Sequence, residues 1–403
     1  MSKDKKNFQR KVLKNGLTVL FEKRDLPIVS MAYAVRYGGM HEKAEEKGIA
    51  HFIEHMLYKG TPTRNAQDIA KAIEHRGGIM NGFTDEPVTA FWVKAPSKHF
   101  FSILDVLSDM VKNTKFETKE LEKERQVILE EIKMRRDNPM IFVHDTLLSL
   151  MYSAPFGNSL IGTPETLSKM NRETLLKKFM EAYTPKNMIF VAVGDVDFKK
   201  LCAYLEKSFP NSNSKIPSLP KIVLKSESRD IKRKGIDQAH LLLAYHTPLA
   251  NSDLSYVATV LNSLLAGGMS SRLFSEIREK RNLAYAIRGD CTAEKEFGYS
   301  LVYVGTTTDK LSEVKRLIIE EHKKVARDLD NKELSLIKEQ LIGQHLISRE
   351  DSQSELAYLL SAEIDGDVKD AFTFEKKIAA VKIADVKNLA KISKYSVLTL
   401  VPE

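Results

Sequence analysis

The hydrophobic pattern of the first half of the chain begins with strand signals and continues with helix signals. Two apolar segments, Val12-Leu13 and 17–21, flank Asn15-Gly16, a dipeptide that favours a two-residue hairpin turn. The spacing of apolar residues in the following segments predicts the remaining elements. These are a strand at 28–35, a helix at 66–75, a strand at 88–93, a helical region at 98–136 broken near 113–114, and a buried strand at 187–193.

A second series of elements follows a segment rich in turn formers, residues 209–220, which is the best linker candidate in the chain. The pattern after it predicts a strand at 239–245, helices at 256–265 and 272–280, a strand at 299–305 and then two long helices. Because 403 residues are more than one core usually holds, we predict two domains, 1–212 and 213–403.

One helical segment, residues 48–58, combines an apolar surface with three titratable side chains. Its spacing places His51 and His55 on one face of the helix, with Glu54 beside them. Burying these groups without partners would be costly, and neutral imidazole is a good zinc ligand. The order His-x-x-Glu-His is the reverse of a common zinc signature, so the segment predicts a zinc site. The alternative is a core helix whose polar seam is hydrogen-bonded to its neighbours.

A catalytic zinc site needs at least one more protein ligand, and the charged helix at 119–133 offers candidates. Glu124 and Glu131 fall almost superposed within its apolar arc, whereas Glu130 points away from it. The spacing alone does not establish Glu131 as the ligand. The residues that define the predicted arc are Leu121, Val127, Ile128, Ile132 and Met134.

The order of elements also indicates an internal repeat. Lys119-Glu-Leu121 and Lys332-Glu-Leu334 each open a long charged helix, and they lie 213 residues apart. The second half has no His-x-x-Glu-His segment. At the same offset both inner acids of the first helix are replaced, Glu131 by Gln344 and Glu124 by Ile337. Only the first copy therefore carries the His-x-x-Glu-His segment and the inner acids. This asymmetry favours a catalytic role for these residues over a structural one.

Composition narrows the class of protein further. The chain has 62 Lys and Arg against 54 Asp and Glu, a net charge of +8, but the excess is scattered, so no nucleic-acid partner is predicted. No segment resembles a membrane span, and the N-terminus lacks the apolar region of a secretory signal. Cys202 and Cys291 form no metal motif and are predicted to be reduced thiols, which is typical of a cytoplasmic protein.

The segment His51-Phe-Ile-Glu-His55, followed after 75 intervening residues by Glu131, closely resembles the pitrilysin-type inverzincin zinc metallopeptidases. That family includes the mitochondrial processing peptidase and insulin-degrading enzyme. The chain is most similar to the half-length members that dimerise, such as the beta subunit of the former and bacterial processing-type peptidases. Further landmarks of the resemblance extend along nearly the whole chain: Asn81-Gly-Phe-Thr84, Tyr183-Thr-Pro-Lys-Asn-Met188, Gly194-Asp-Val196 and Ser270-Ser-Arg-Leu-Phe274.

The resemblance implies that one Zn²⁺ per chain is held by His51, His55 and Glu131, and that Glu54 is the general base. Glu124 is implied to support a ligand histidine from its other ring nitrogen. The resemblance also implies that Asn81, Gly82 and Phe83 begin an edge strand that binds the substrate backbone. The residues alone predict only a turn at Asn81-Gly82. Gly82 departs from the family, which often has another small residue there, and the glycine is expected to loosen the strand.

Two residues of the second half complete the site that the resemblance implies. Arg278 and Tyr285 are similar to the family's arginine and tyrosine pair, which reach the substrate from the opposite half of the chamber. Without the resemblance, Arg278 is predicted on a helix surface and Tyr285 in a core strand. Because one chain supplies only half of a peptidase clamshell, we expect a homodimer with composite sites.

These inferences predict an α+β protein of two similar domains, each a mixed β-sheet covered by helices. The predicted function is a zinc-dependent endopeptidase that cleaves peptides or unfolded polypeptide segments inside a dimeric chamber, with no membrane partner. The sequence does not separate zinc from Mn²⁺ or Co²⁺ as the working ion. The alternatives are a non-catalytic companion or scaffold subunit of a peptidase-like complex, and a zinc-carrying interaction module.

Overall fold

The computed structural model describes residues 7–210 and 217–403, which form two compact units. The first unit contains the described residues of 1–133, 158–221 and 348–372, and the second contains those of 134–157, 222–347 and 373–403. Each unit is therefore built from three segments of the chain. The predicted boundary between residues 212 and 213 lies outside the described residues, so that boundary stays a prediction.

The described residues form eleven strands and fourteen α-helices. The strands are β1 (Phe8–Val12), β2 (Thr18–Lys23), β3 (Ile28–Val35), β4 (Ile79–Thr84), β5 (Thr89–Pro96), β6 (Met188–Gly194), β7 (Ser228–Arg233), β8 (Ala239–His246), β9 (Ala286–Ala293), β10 (Gly298–Thr306) and β11 (Ser396–Pro402). The helices are α1 (Ile49–Leu57), α2 (Ala66–Glu74), α3 (Phe100–Asn113), α4 (Thr118–Asp137), α5 (Pro139–Met151), α6 (Pro164–Lys169), α7 (Arg172–Ala182), α8 (Phe198–Ser208), α9 (Leu254–Ala266), α10 (Leu311–Asp328), α11 (Asn331–Ser348), α12 (Ser352–Asp365), α13 (Phe374–Ala380) and α14 (Ile383–Leu389).

The first unit contains a six-stranded mixed sheet in the order β1-β2-β6-β3-β5-β4. Strands β2 and β6 are parallel neighbours, and the other neighbouring pairs are antiparallel. Strand β6 is buried at every position, which explains why its sequence is a continuous apolar run without alternation. Strand β4 lies at the edge of the sheet, where its outer side has main-chain groups available for another strand.

Helices cover both faces of this first sheet. Helices α1 and α3 pack on one face, where the larger apolar core of the unit lies. Helix α12 packs across β3 and β6 on the other face and contributes Leu356, Leu359 and Leu360 to a second apolar cluster. This double cover buries the sheet on both sides and holds the site-bearing helix α1 against β4 and β5.

The second unit contains a five-stranded mixed sheet in the order β7-β11-β8-β10-β9. Strands β7 and β11 are parallel neighbours, and the remaining pairs are antiparallel. Helix α5 packs on β8 and β11, while α9 packs on β9 and β10, and α10 packs on β8. The apolar core of this unit includes residues of β8, α9, β10 and α10.

The two sheets confirm the predicted repeat. Strands β2, β6, β3, β5 and β4 of the first unit correspond in order and direction to β7, β11, β8, β10 and β9 of the second. Helices α4 and α11 begin 213 residues apart, as do α5 and α12. Helix α5 follows α4 in the chain but belongs to the second unit, and α12 follows α11 but belongs to the first. Each copy of the repeat therefore contributes one helix to the unit that contains the sheet of the other copy.

Most predicted elements are confirmed with small shifts of their ends. The hairpin at Asn15-Gly16, the strand at 28–35 and the interruption of the long helical region all occur, the last at residues 114–117. The helix predicted at 272–280 differs, because Phe274–Glu279 is π-helical. Helices α5, α6, α7 and α8, strands β7 and β9, and the C-terminal elements after α11 were not predicted. None of the described helices is long and apolar enough to cross a membrane.

Candidate metal centre

Helix α1 begins at a position that only a flexible residue tolerates well. Gly48, which precedes it, has φ +94°, and a β-carbon there would lie 2.8 Å from the Ile161 carbonyl oxygen. The Glu42 carboxylate accepts hydrogen bonds from the backbone N–H groups of Gly48, at 3.1 Å, and Ala50, at 2.8 Å. A carboxylate at the start of a helix satisfies free N–H groups and fixes where the helix begins. His51, Glu54 and His55 are thereby held in a defined register.

The three side chains that the family resemblance implies as zinc ligands converge in the structure. The Nε2 atoms of His51 and His55 lie 3.3 Å apart, and Oε2 of Glu131 lies 3.5 Å from the first and 3.6 Å from the second. A tetrahedral Zn²⁺ with bonds of about 2.1 Å holds its donors roughly 3.4 Å apart. Among the described residues these three form the one group of at least three potential ligands close enough to share a metal ion. The donor set and its spacing therefore fit zinc.

Glu124 occupies the other side of His55. Its Oε2 lies 3.1 Å from Nδ1 of His55, and its Oε1 forms an ion pair with Lys59. Burial opposes ionisation of Glu124, but the hydrogen bonds from His55 and Lys59 dominate and lower the pKa of its carboxyl. Burial also acts against the protonated imidazole, yet Glu124 and Glu131 raise the pKa of His55 to about 9. The structure thus distinguishes Glu131, which lies with the two imidazole Nε2 atoms, from Glu124, which contacts Nδ1 of His55. The spacing alone did not distinguish these two residues.

Glu54 lies beside the three donors without being one of them. Its Oε2 accepts a hydrogen bond of 2.7 Å from the Thr84 hydroxyl, Oγ1, at the end of β4. Burial raises the pKa of Glu54, and the hydrogen bond from Thr84 opposes that change. An anionic acceptor held next to a potential metal site is suited to taking a proton from water.

The packing of β4 against α1 explains the glycine that departs from the family pattern. A β-carbon at position 82 would lie 2.5 Å from the Tyr58 hydroxyl oxygen and 3.0 Å from Oε1 of Glu54. The first distance is too short for a real contact, so the Tyr58 ring occupies space that a larger residue would need. The edge strand therefore packs closely against the metal-site helix at Gly82, and a larger residue there would displace the Tyr58 side chain.

The predicted edge strand is confirmed as an element, and its role in peptide binding stays a prediction. Asn81, Gly82 and Phe83 lie in β4, and β5 is the one strand neighbour of β4 in the described part of the chain. The Asn81 side chain accepts a hydrogen bond of 2.9 Å from the Gly82 backbone N–H. The backbone N–H of Asp85 instead bonds to the Val88 carbonyl in the connection to β5. Along an edge strand, residues alternate between bonding to the neighbouring strand and facing the open side. Gly82 and the residues two positions away from it therefore direct their main-chain groups toward the open edge.

Arg278 and Tyr285 are close to one another in the second unit. Arg278 is exposed in the π-helical segment and donates a hydrogen bond of 3.2 Å to the Tyr285 carbonyl oxygen. Tyr285 precedes β9 and is 43% exposed, so the core position predicted from the residues alone is wrong. Its ring lies over Gly305, where a β-carbon would be 2.3 Å from the Tyr285 hydroxyl oxygen. It lines a cavity of about 500 Å³ together with Arg288 and Tyr303.

The structure also corrects the predicted inner face of α4. Val127 and Met134 are 49% and 64% exposed, so two residues of the predicted apolar arc point to solvent. The inner face is formed by Leu121, Glu124, Arg125 and Ile128. Sequence reasoning missed Lys59 and Thr84. Lys59 lies in the turn just after the end of α1, so helical spacing does not place it, and Thr84 becomes visible only once β4 is packed on α1.

Comparison with known proteins shows the family to which the chain is related. A model of the family described as "Insulinase (Peptidase family M16)" matches residues 18–164, and one described as "Peptidase M16 inactive domain" matches residues 169–341. An uncharacterized zinc protease of Bacillus subtilis is 33% identical over 87% of this chain and 86% of its own length. One from Streptomyces coelicolor is 29% identical over 95% of this chain and 86% of its own.

Solved structures share the fold. A protease from Helicobacter pylori superposes with a TM-score of 0.91, with 22% identity and coverage of 98% of this chain and 99% of that one. A protein described as a peptidase M16 inactive domain from Pseudomonas fluorescens gives 0.88, with 19% identity and 98% coverage of each chain. The chain belongs to peptidase family M16. The resemblance and the α+β architecture with two helix-covered sheets are therefore confirmed.

Proposed function

We propose that this protein is a zinc-dependent endopeptidase that cleaves peptides or unfolded polypeptide segments. The observation that carries the proposal is the convergence of two imidazoles and one carboxylate at the spacing of zinc ligands, with a second carboxyl group, that of the buried Glu54, beside them. The names of the relatives, which call them zinc proteases, support the same class of activity.

In this proposal His51, His55 and Glu131 hold the metal, and Glu124 orients His55 through Nδ1. Zinc, when bound, supplies Lewis-acid polarisation of the scissile carbonyl and lowers the pKa of water. Glu54 accepts the proton of the attacking water and transfers it to the leaving amine. Its burial on α1 and its hydrogen bond from Thr84 keep the carboxylate oriented for both transfers.

Strand β4 is proposed to bind the substrate. Pairing with an open strand edge requires an extended segment, which peptides and unfolded chains provide and folded proteins seldom do. The main chain of Gly82 faces this edge, and Glu54 approaches the same residue from α1. A peptide paired there would run past the general base, and this arrangement supports endopeptidase activity.

We further propose a homodimer in which Arg278 and Tyr285 of one subunit act at the metal site of its partner. The support is that this chain carries both the metal-site residues and the exposed Arg/Tyr pair. A different partner subunit is then unnecessary. The non-catalytic alternative draws on the description "inactive domain". The family model with that description matches residues 169–341, which do not include the three donors or Glu54. The Pseudomonas fluorescens protein with the same description is 19% identical to this chain, a likeness that concerns the fold alone.

The test is cleavage of a mixed peptide library by purified protein, with the products identified by mass spectrometry. Internal cleavage should occur, should stop on treatment with a chelator, and should return with stoichiometric Zn²⁺. Protein carrying Glu54→Gln, prepared in parallel, controls for a contaminating protease. Absence of cleavage by zinc-loaded wild-type protein, or equal cleavage by the Gln variant, would overturn the proposal.

A further inference from the structure

Thr84 is the last residue of β4 and connects the proposed substrate strand with Glu54. Side chains alternate along a strand, so Thr84 and Gly82 face the same side, toward α1. The Thr84 hydroxyl lies 2.7 Å from Oε2 of Glu54. Nothing in the sequence motif on α1 indicates this contact, because it joins two elements thirty residues apart.

The direction of this hydrogen bond is fixed by its surroundings. The Thr84 hydroxyl also lies near that of Thr89, its cross-strand partner, with the two oxygens 3.5 Å apart. The Thr89 hydroxyl donates to the Tyr37 carbonyl oxygen at 2.9 Å. Its proton is thus used, and an ionised carboxylate can only accept. Thr84 therefore donates its single proton to Glu54.

The contact distinguishes the two oxygens of the Glu54 carboxylate. Oε2 is held by Thr84, whereas Oε1 lies next to Gly82, on the strand proposed to bind substrate. A carboxylate held at one oxygen cannot rotate freely about its terminal bond, so the other oxygen keeps its direction. A general base must lie within hydrogen-bond reach of the proton it removes, and a misplacement of about 1 Å can cost roughly a hundredfold in rate.

Thr84 lies two residues after Gly82 on β4, so its main-chain groups also face the open edge of the strand. A peptide that pairs with this edge bonds to the same strand segment whose side chain holds the general base.

We propose that Thr84 is a positioning residue that orients the Glu54 carboxylate from the strand that is proposed to bind the substrate. The inference rests on the proposed peptidase function and assigns no new reaction. It requires that loss of the Thr84 hydroxyl slows the chemical step while leaving metal binding and peptide affinity largely unchanged.

The experiment compares Thr84→Val and Thr84→Ser with the wild-type protein in zinc-loaded form. Valine keeps the shape and strand preference of threonine without the hydroxyl, so kcat should fall about tenfold or more while KM stays within roughly threefold. Serine retains a hydroxyl at the same position and should restore kcat to within about threefold of wild type. Zinc content and melting temperature, measured on each variant, exclude loss of the metal or of the fold.

A matched control comes from the second unit, where the buried Ser300 hydroxyl donates to Asn262 at 3.0 Å. Ser300→Ala removes a buried hydroxyl without touching Glu54, so kcat should stay within about threefold of wild type. In a Glu54→Gln background, Thr84→Val should cause no further loss, because the group it orients is gone.

The outcomes separate the two proposals. Cleavage by wild type with unchanged kcat in Thr84→Val would overturn the positioning role and leave the peptidase function intact. An equal loss in Thr84→Ser, or a loss expressed only in KM, would also overturn it. Absence of cleavage by zinc-loaded wild type would overturn the peptidase function and the positioning role with it.

Discussion

The two units of this protein share one strand order but differ at the helix that faces their edge strands. In the first unit Gly82 of β4 lies against Glu54 and Tyr58 of α1. In the second, Gly289 of β9 lies against α9, where a β-carbon would be 2.8 Å from Asn262 Oδ1 and 2.6 Å from Ala266 Cβ. In both units a glycine of the edge strand meets two helix residues four positions apart.

This shared contact aligns the two helices and shows what replaced the metal-site residues. With Glu54 matched to Asn262, His51 corresponds to Thr259 and His55 to Ser263. Both ligand positions become hydroxyl residues that bind zinc poorly, and the acid becomes an amide, which cannot act as a base.

The third ligand is replaced in the same way on the long helices. At the offset of 213 residues, Glu124 corresponds to the core residue Ile337, and Glu131 to the exposed Gln344. The same scaffold therefore accommodates both a pair of helices that carries metal ligands and a pair that does not. A packed core needs apolar residues at the inner helix positions. A metal site needs a few of them replaced by polar residues whose hydrogen-bonding and charged groups are partners of one another.

The strongest test of this comparison removes one ligand. Glu131→Gln should lower the zinc content from about one per chain to a small fraction and abolish peptidase activity, because an amide is a poor zinc ligand. The matched control, Gln344→Ala, should change neither. Metal analysis and peptide cleavage measure both effects. Retention of wild-type zinc by the Gln variant would remove Glu131 from the ligand set and reopen Glu124 and Glu130.

A smaller effect separates chemistry from metal binding. Glu54→Gln should retain zinc yet lose activity by about 10² or more, because the amide cannot accept the proton of water. Asn262→Ala, at the matching position of the second unit, should lower the melting temperature but leave kcat within about threefold. Near-wild-type cleavage by the Gln variant would show that Glu54 is not the base.

Mixed dimers test whether the two units cooperate between subunits. Glu54→Gln chains and Tyr285→Phe chains, each nearly inactive alone, should regain activity when mixed. At random exchange half of the dimers are mixed, and each mixed dimer has one intact composite site, so about a quarter of wild-type activity should return. Subunit exchange is verified by labelled chains. If verified exchange brings no recovery, the composite site is wrong.

The smallest expected effect is on the pH dependence of stability. It concerns a buried lysine and two neighbouring carboxyl groups of the first unit. Lys47 is buried with Glu42 and Glu86, at 3.9 and 3.8 Å from their carboxylates. Burial, opposed by Lys47, raises the pKa of Glu86 to about 7 from 4.5. The folded state therefore retains a proton that the unfolded chain releases. The stability from this group is complete below pH 4.5 and is lost as pH rises through 7.

Glu86→Gln should remove this pH dependence. Denaturant unfolding at pH 5, 6 and 7 of protein treated with a chelator, so that metal release does not contribute, should show a smaller loss of stability in the variant. The expected difference between pH 5 and pH 7 is about 2 kcal/mol. An identical pH slope for both proteins would contradict the raised pKa of Glu86.

The sequence by itself determined the local elements and the first part of the site. The hairpin, the strand at 28–35 and the face shared by His51 and His55 follow from spacing, because backbone periodicity fixes the direction of neighbouring side chains. The interval of 213 residues between matching helices likewise predicted the repeat. The family resemblance went further and assigned Glu131 and Glu124, which spacing alone could not distinguish.

Tertiary packing decided the rest. Whether Glu124 or Glu131 approaches Nε2 of the two histidines depends on how α4 lies against α1, which no helical period specifies. The contact of Thr84 with Glu54, the close packing at Gly82 and the exchange of α5 and α12 between the sheets also join residues that are distant in the chain. Spacing encodes the direction of a side chain within its own element. The neighbour that it meets is set by the packing of whole elements, whose free energy depends on all contacts together.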